Sequence, residues 1–167
     1  MVNYCAFIPF ISNLLGDLNV LPYKNIEMPN DCGNTVTIIG HKEDLDLFEE
    51  KGLAFSYFCP MPQNGDIDWC IENWGTKWDP YDLTSERNGP NGLEFNFNTA
   101  WAPPIVFLKN LLLQYPRCWI KITYGESMMM FAGVWIGYMK NGELKEKSLN
   151  WTEPMAMLTT DGEVMCE

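Results

Sequence analysis

The sequence predicts an α+β domain: an antiparallel sheet with two helices on one face, in the order βαββαβ, extended by a C-terminal β-hairpin. Three observations predict it. Apolar and polar residues alternate with period two in several runs, as where Leu93, Phe95 and Phe97 interleave with Glu94, Asn96 and Asn98. Two stretches, 41–52 and 105–115, carry an apolar stripe at helical spacing instead. With 47% hydrophobic and 14% aromatic residues, a chain of 167 residues has the material for one packed core.

The elements follow in turn. Residues 1–27 form an N-terminal extension whose end, NVLPYKNIE, reads as a connection, with room for a short helix at 6–15 interrupted by Pro9. Thr35 to Ile39 is β-branched throughout and stops at Gly40, which predicts a buried strand. HKEDLDLFEEKG follows, with Leu45 and Phe48 on one side, acids in the first turn and Gly52 where a C-terminal cap belongs; this is an amphipathic helix. Residues 53–80 are expected to form a long Trp-rich insertion, broken by Pro60, Pro62 and Gly65, with one helical turn before Gly75. YDLTSER and LEFNFNT read as strands joined by the turn NGPNG. Pro103 and Pro104 open a second helix, IVFLKNLLLQY, ending at Pro116. CWIKITY alternates as a strand, and FAGVWIGYM and ELKEKSL pair across Lys140-Asn141-Gly142-Glu143, an Asn-Gly hairpin signal. Residues 28–150 make up the domain, and 151–167 an acidic tail.

Composition narrows the function classes. Eleven Lys and Arg against 22 Asp and Glu give a formal charge of -11, so a phosphate backbone would be repelled unless cations cluster. Along the sequence they are single residues, apart from a mild group at Lys140, Lys145 and Lys147, and nucleic acid is not the expected partner. The six cysteines lack the CxxC spacing of zinc or redox sites and read as reduced core residues. The apolar start lacks a basic n-region and is broken by Asn3, Pro9 and Asn13, so neither a signal peptide nor a membrane span is expected.

From Met28 to about Leu149 the chain resembles the YubB-type ferredoxin-like domain, a family of proteins carried by plasmids and phages. The resemblance is carried by MPNDCGNTVTIIG, IENWGTKWD, LEFNFNTAWAPP and YGESMMMFAGVWIGYMKNG in that order. It implies the ferredoxin-like topology and a mobile-element or viral setting, and it implies no activity. An iron–sulfur cluster would need a thiolate set that this spacing does not supply, and no cofactor is expected.

The candidate site is the segment WCIENWGTKWD. Trp69, Trp74 and Trp78, with Trp101 further on, are either an aromatic platform for a partner or a packed insert covering a sheet face that the helices leave open. Asn73 and Lys77 are its outward-facing polar candidates. His41, the one histidine, heads a helix with no nucleophile in a recognisable motif beside it and reads as a capping or surface residue. Asp66, Asp68, Glu72, Asp79 and Asp82 match no metal loop, and Met128, Met129 and Met130 form an adaptable apolar patch. The expectation is a non-enzymatic protein that docks on a host or viral protein, in the host cytoplasm or the virion and not secreted. The alternatives are a minor component of a virus particle and a nucleic-acid-binding module using the Trp-rich segment.

Overall fold

The structure, a computed structural model, describes residues 30–126 and 131–151. In chain order the elements are β1 (Asp31–Ile39), α1 (Lys42–Lys51), α2 (Phe55–Phe58), α3 (Ile67–Trp74), β2 (Tyr81–Arg87), β3 (Gly92–Ala100), α4 (Ile105–Gln114), β4 (Trp119–Glu126), β5 (Phe131–Lys140) and β6 (Glu143–Trp151). The six strands make one sheet in the order β2-β3-β1-β4-β5-β6, with every neighbouring pair antiparallel. The expected helix at 6–15, the methionine patch at 128–130 and most of the acidic tail lie outside the described residues.

Alternation does what period-two patterning requires, since residues i and i+2 of a strand share a face. Val36 and Ile38 of β1, Leu93, Phe95 and Phe97 of β3, Ile120 and Ile122 of β4 and Trp135 of β5 are buried on one side. Against them pack Leu45 and Phe48 of α1 and Phe107, Leu108, Leu111 and Leu112 of α4. The Trp135 indole lies across Gly137, where a Cβ would stand 2.3 Å from its ring. Its N–H donates to the Glu146 carboxylate at 2.7 Å, and Lys109 of α4 donates to the same group, which ties the helix layer to β6.

Strand β1 begins four residues before the β-branched run because its polar start is satisfied. Buried Asn34 donates to Thr99 Oγ1 at 2.8 Å and to the Cys32 carbonyl at 2.7 Å. At the β5–β6 turn Asn141 and Gly142 both take positive φ, as a two-residue hairpin of the required twist demands. β2 is less regular, with a shift in register between Tyr81 and Thr84 and Asp82 at φ +52°.

Two expectations need correction. The described residues hold four helices, not two, because the link from α1 to β2 contains α2 and the two-turn α3 where one helical turn was expected. Nor does the tryptophan insert cover the sheet's other face. Trp74 packs on Phe55, which meets Phe97 of β3 edge-on and Phe107 of α4 at a tilt, so the insert joins the helix layer. Leu53, Phe55, Phe58, Cys70 and Trp74 of the insert share the existing core, while Met61, Ile67, Ile71 and Trp78 stay exposed.

Candidate functional site

Local chemistry builds the insert. Asp66 caps α3, its Oδ1 accepting from the Trp69 N–H at 3.0 Å, and Gly75 ends the helix at φ +84°, a conformation that favours glycine. Three bonds then fasten the segment to its neighbours. The Trp74 indole N–H donates to the Cys59 carbonyl at 2.9 Å, Asn110 Nδ2 of α4 donates to the Asn73 carbonyl at 3.2 Å, and Thr76 Oγ1 donates to the Ala100 carbonyl at 2.8 Å.

These bonds divide the six candidate residues into two groups. Trp74 is 4% exposed, and Trp69 meets it edge-on with ring centroids 5.6 Å apart; both are structural. Asn73 turns its side-chain amide back to the Trp69 carbonyl, at 2.9 Å within the helix, and does not face outward as expected. Lys77, Trp78 and Trp101 form the second group. Trp78 and Trp101 are each 40% exposed, and the Lys77 ammonium sits 4.0 Å from the centroid of the Trp101 ring. At that distance the cation is attracted by the ring's negative face, worth about 0.5–1 kcal/mol at an exposed site.

Trp101 is held in an unusual way. Its φ is +72°, a left-handed conformation that costs an L-residue of this size about 1 kcal/mol or more. Hydrogen bonds on each side over-determine it: its N–H donates to the Asn30 carbonyl at 2.9 Å, the Ala102 N–H to the Ala100 carbonyl at 2.9 Å, and Thr99 Oγ1 to the Ala102 carbonyl at 2.8 Å. The turn after β3 therefore holds a large ring partly in solvent.

Beside this cation–ring pair runs a groove of about 620 Å³, walled by Pro60, Met61, Ile67, Trp74 and Trp78, with Lys77, Asp66 and Asp79 as its charged members. Asp79 also fixes the entry to α2, its Oδ1 accepting from the Ser56 N–H at 3.0 Å. Cys70 faces the groove with its Sγ 3.6 Å from Met61 Sδ, and burial raises its thiol pKa. The other candidates do not converge there. His41 is exposed at the start of α1 and makes no side-chain cap, and among the described residues no three His, Cys, Asp or Glu side chains are placed to hold a metal.

Sequence reasoning passed over Met61, Ile67 and Pro60 as groove walls, because nothing in their spacing distinguishes them from loop residues until α2 and α3 bring them together.

Compared with known families, residues 73–157 match the model of the ferredoxin-like domain in Api92-like protein, a span that includes Lys77, Trp78 and Trp101 and begins after Trp69. The crystal structure of a protein Api92 from Yersinia pseudotuberculosis is similar over 48% of this chain, with 20% identity and a TM-score of 0.40, and this chain covers 29% of that one. No curated protein matches the chain.

Proposed function

This chain belongs to the family of the ferredoxin-like domain in Api92-like protein, and on that premise we propose that it is a non-enzymatic protein that docks on another protein through the groove beside α3. The observation that supports this reading is Trp101, a large ring kept 40% exposed in a left-handed backbone conformation with Lys77 on its face. A ring that served packing alone would gain from burial and would not need the strained turn. Trp78 lines the groove and Trp101 stands at its side across Lys77, and exposed aromatics so placed are what protein interfaces use as anchors. Asp66 and Asp79 beside the apolar walls, together with the formal charge of -11, favour a partner segment that presents an apolar side chain among basic residues.

The YubB-type resemblance supports a phage, virus or mobile-element setting and a host or viral partner, with counter-defence as the role such docking would serve. We read β1, α1, β2, β3, α4 and β4 as the βαββαβ unit, α2 and α3 as its insertion and the β5–β6 hairpin as its extension.

The test is affinity capture from host and infected-cell lysates with the wild-type chain and a Trp78→Ala/Trp101→Ala variant of matched thermal stability. A partner retained by the first and lost by the second is the expected result. Recovery of the same proteins by both, or co-sedimentation with particles that the variant leaves unchanged, would overturn the groove as the docking site.

A further inference from the structure

On the helix-bearing side of the sheet the described cations have partners: Lys77 lies over the Trp101 ring, Lys51 pairs with Glu50, and the others pair across elements or along α1. Lys42 pairs with Asp46, Arg87 with Asp46 and Glu49, Lys109 with Glu146 and Arg117 with Asp44. On the opposite face the picture reverses. Lys121, Lys140 and Lys147 make no ion pair among the described residues, and Lys145 pairs only with Glu143 at the hairpin.

Register brings these four together although 26 positions separate the first from the last (147 minus 121). Residues directly opposite in antiparallel strands share a face. Thr37, Lys121, Ile136 and Lys147 therefore form one row across β1, β4, β5 and β6, and Ile39, Trp119, Tyr138 and Lys145 form the next. Lys140 follows Tyr138 by two residues on β5 and lies on the same face. Lysines on an edge strand ordinarily keep that edge from pairing with another chain, and Lys145 and Lys147 of β6 fit that description. Lys121 does not, because β4 lies two strands in from the edge.

We propose that this open face of β4, β5 and β6 binds single-stranded nucleic acid, with phosphates on the four lysines and bases on Trp119 and Tyr138. Trp119 is half-buried and Tyr138 39% exposed, directly opposite each other, with Tyr138 among the lysines and Trp119 beside it on β4. The lysines frame an area about 10 Å across the strands and about 13 Å along them, from ordinary strand dimensions. That is room for the two or three bases that an aromatic-bearing sheet stacks. The net charge of -11 does not forbid it, because acids farther than about 8–10 Å are largely screened at physiological salt. One acid lies inside the group: Glu143, opposite Lys140 and 2.6 Å from the Lys145 ammonium, so Lys145 must exchange that partner for a phosphate. On the same face Glu86 and Glu94 stand opposite each other on β2 and β3 and would repel a strand toward β4–β6. This surface is not the groove beside α3, so the two readings stand or fall separately.

Fluorescence anisotropy of labelled short oligothymidine and oligouridine with the full chain tests the proposal. Binding is expected at low salt, weaker for a duplex of the same length, with a log–log salt slope of roughly -2 to -3, as about three or four phosphate contacts produce. Lys121→Glu combined with Lys147→Glu should weaken binding at least about tenfold and flatten the slope by about 1.4. Trp119→Ala should weaken it about tenfold while leaving the slope unchanged. A preference between the two oligomers supports the proposal and identifies DNA or RNA as the source. The proposal is overturned by absence of binding at low salt, by affinity that the folded lysine variant retains, or by polyglutamate competing as well as oligonucleotide, which would assign the face to acidic protein segments.

Discussion

Trp74 and Trp101 belong to one aromatic neighbourhood in the sequence, yet their energetics differ. Trp74 is buried among Phe55 and Trp69, so Trp74→Ala removes a core ring and leaves a cavity; it should cost about 3–5 kcal/mol in urea-induced unfolding. Trp101→Gly behaves differently. It removes the contact with Lys77, worth about 0.5–1 kcal/mol, and relieves a backbone conformation that glycine adopts freely, so stability should stay within about 1 kcal/mol of wild type. Equal losses for the two variants would mean that Trp101 is a packing residue and would remove the main support for the groove as a docking site. Nothing in the spacing of the four tryptophans separates these roles. Exposure depends on what the next element covers, and that is decided by α4 and the end of β3.

Among the elements, α3 owes least to local pattern. Asp66 and Gly75 are legible as its cap and stop, but the nearby Pro60 and Pro62 suggest an irregular loop, and the helix is held by contacts outside itself, Trp74 on Phe55 of α2 and the Asn73 carbonyl on Asn110 of α4. Gly75 marks where local and tertiary demands meet. At φ +84° a substituted Cβ would lie 3.3 Å from the Pro103 carbonyl and 3.4 Å from Val106, so Gly75→Ala should cost about 1–2 kcal/mol, and amide exchange in α3 should quicken more than in β1. Uniform acceleration would instead place α3 inside the global unfolding unit. By contrast α1 with Gly52, the Asn141-Gly142 hairpin and the alternating β3 follow from short-range rules, and they lie where those rules put them.

For the molecule as a whole, ionisation should bound stability on both sides of neutrality. Hydrogen bonds from Lys109 and Trp135 hold the Glu146 carboxyl below its ordinary value of 4.5, and Lys42 and Arg87 do the same for Asp46. A depressed carboxylate contributes stability above its unfolded pKa, and that contribution is lost as pH falls through the folded one. Burial pushes the Cys32 and Cys118 thiols up to about 12 from an ordinary 9.0, so they stay protonated in the fold while the unfolded chain ionises. Their contribution is present below pH 9.0 and is lost between there and about 12. Urea unfolding across pH should show a neutral plateau with declines at both ends, and Cys118→Ala should make the alkaline decline shallower. An unchanged alkaline limb in that variant would contradict the assignment.

The same scale decides what could be known in advance. Composition and short-range pattern by themselves determined an α+β chain with one apolar core, the strand alternation, the glycine stop of α1, the hairpin turn and the acidity, because each rests on composition or on neighbours within a few residues. The tertiary structure alone decided that Trp74 is core while Trp78 and Trp101 are surface, and that Lys121 joins Lys140, Lys145 and Lys147 on one open face. Both outcomes depend on register and layer order. Strand pairing converts distance along the chain into adjacency across a sheet, and no local pattern encodes which face remains uncovered.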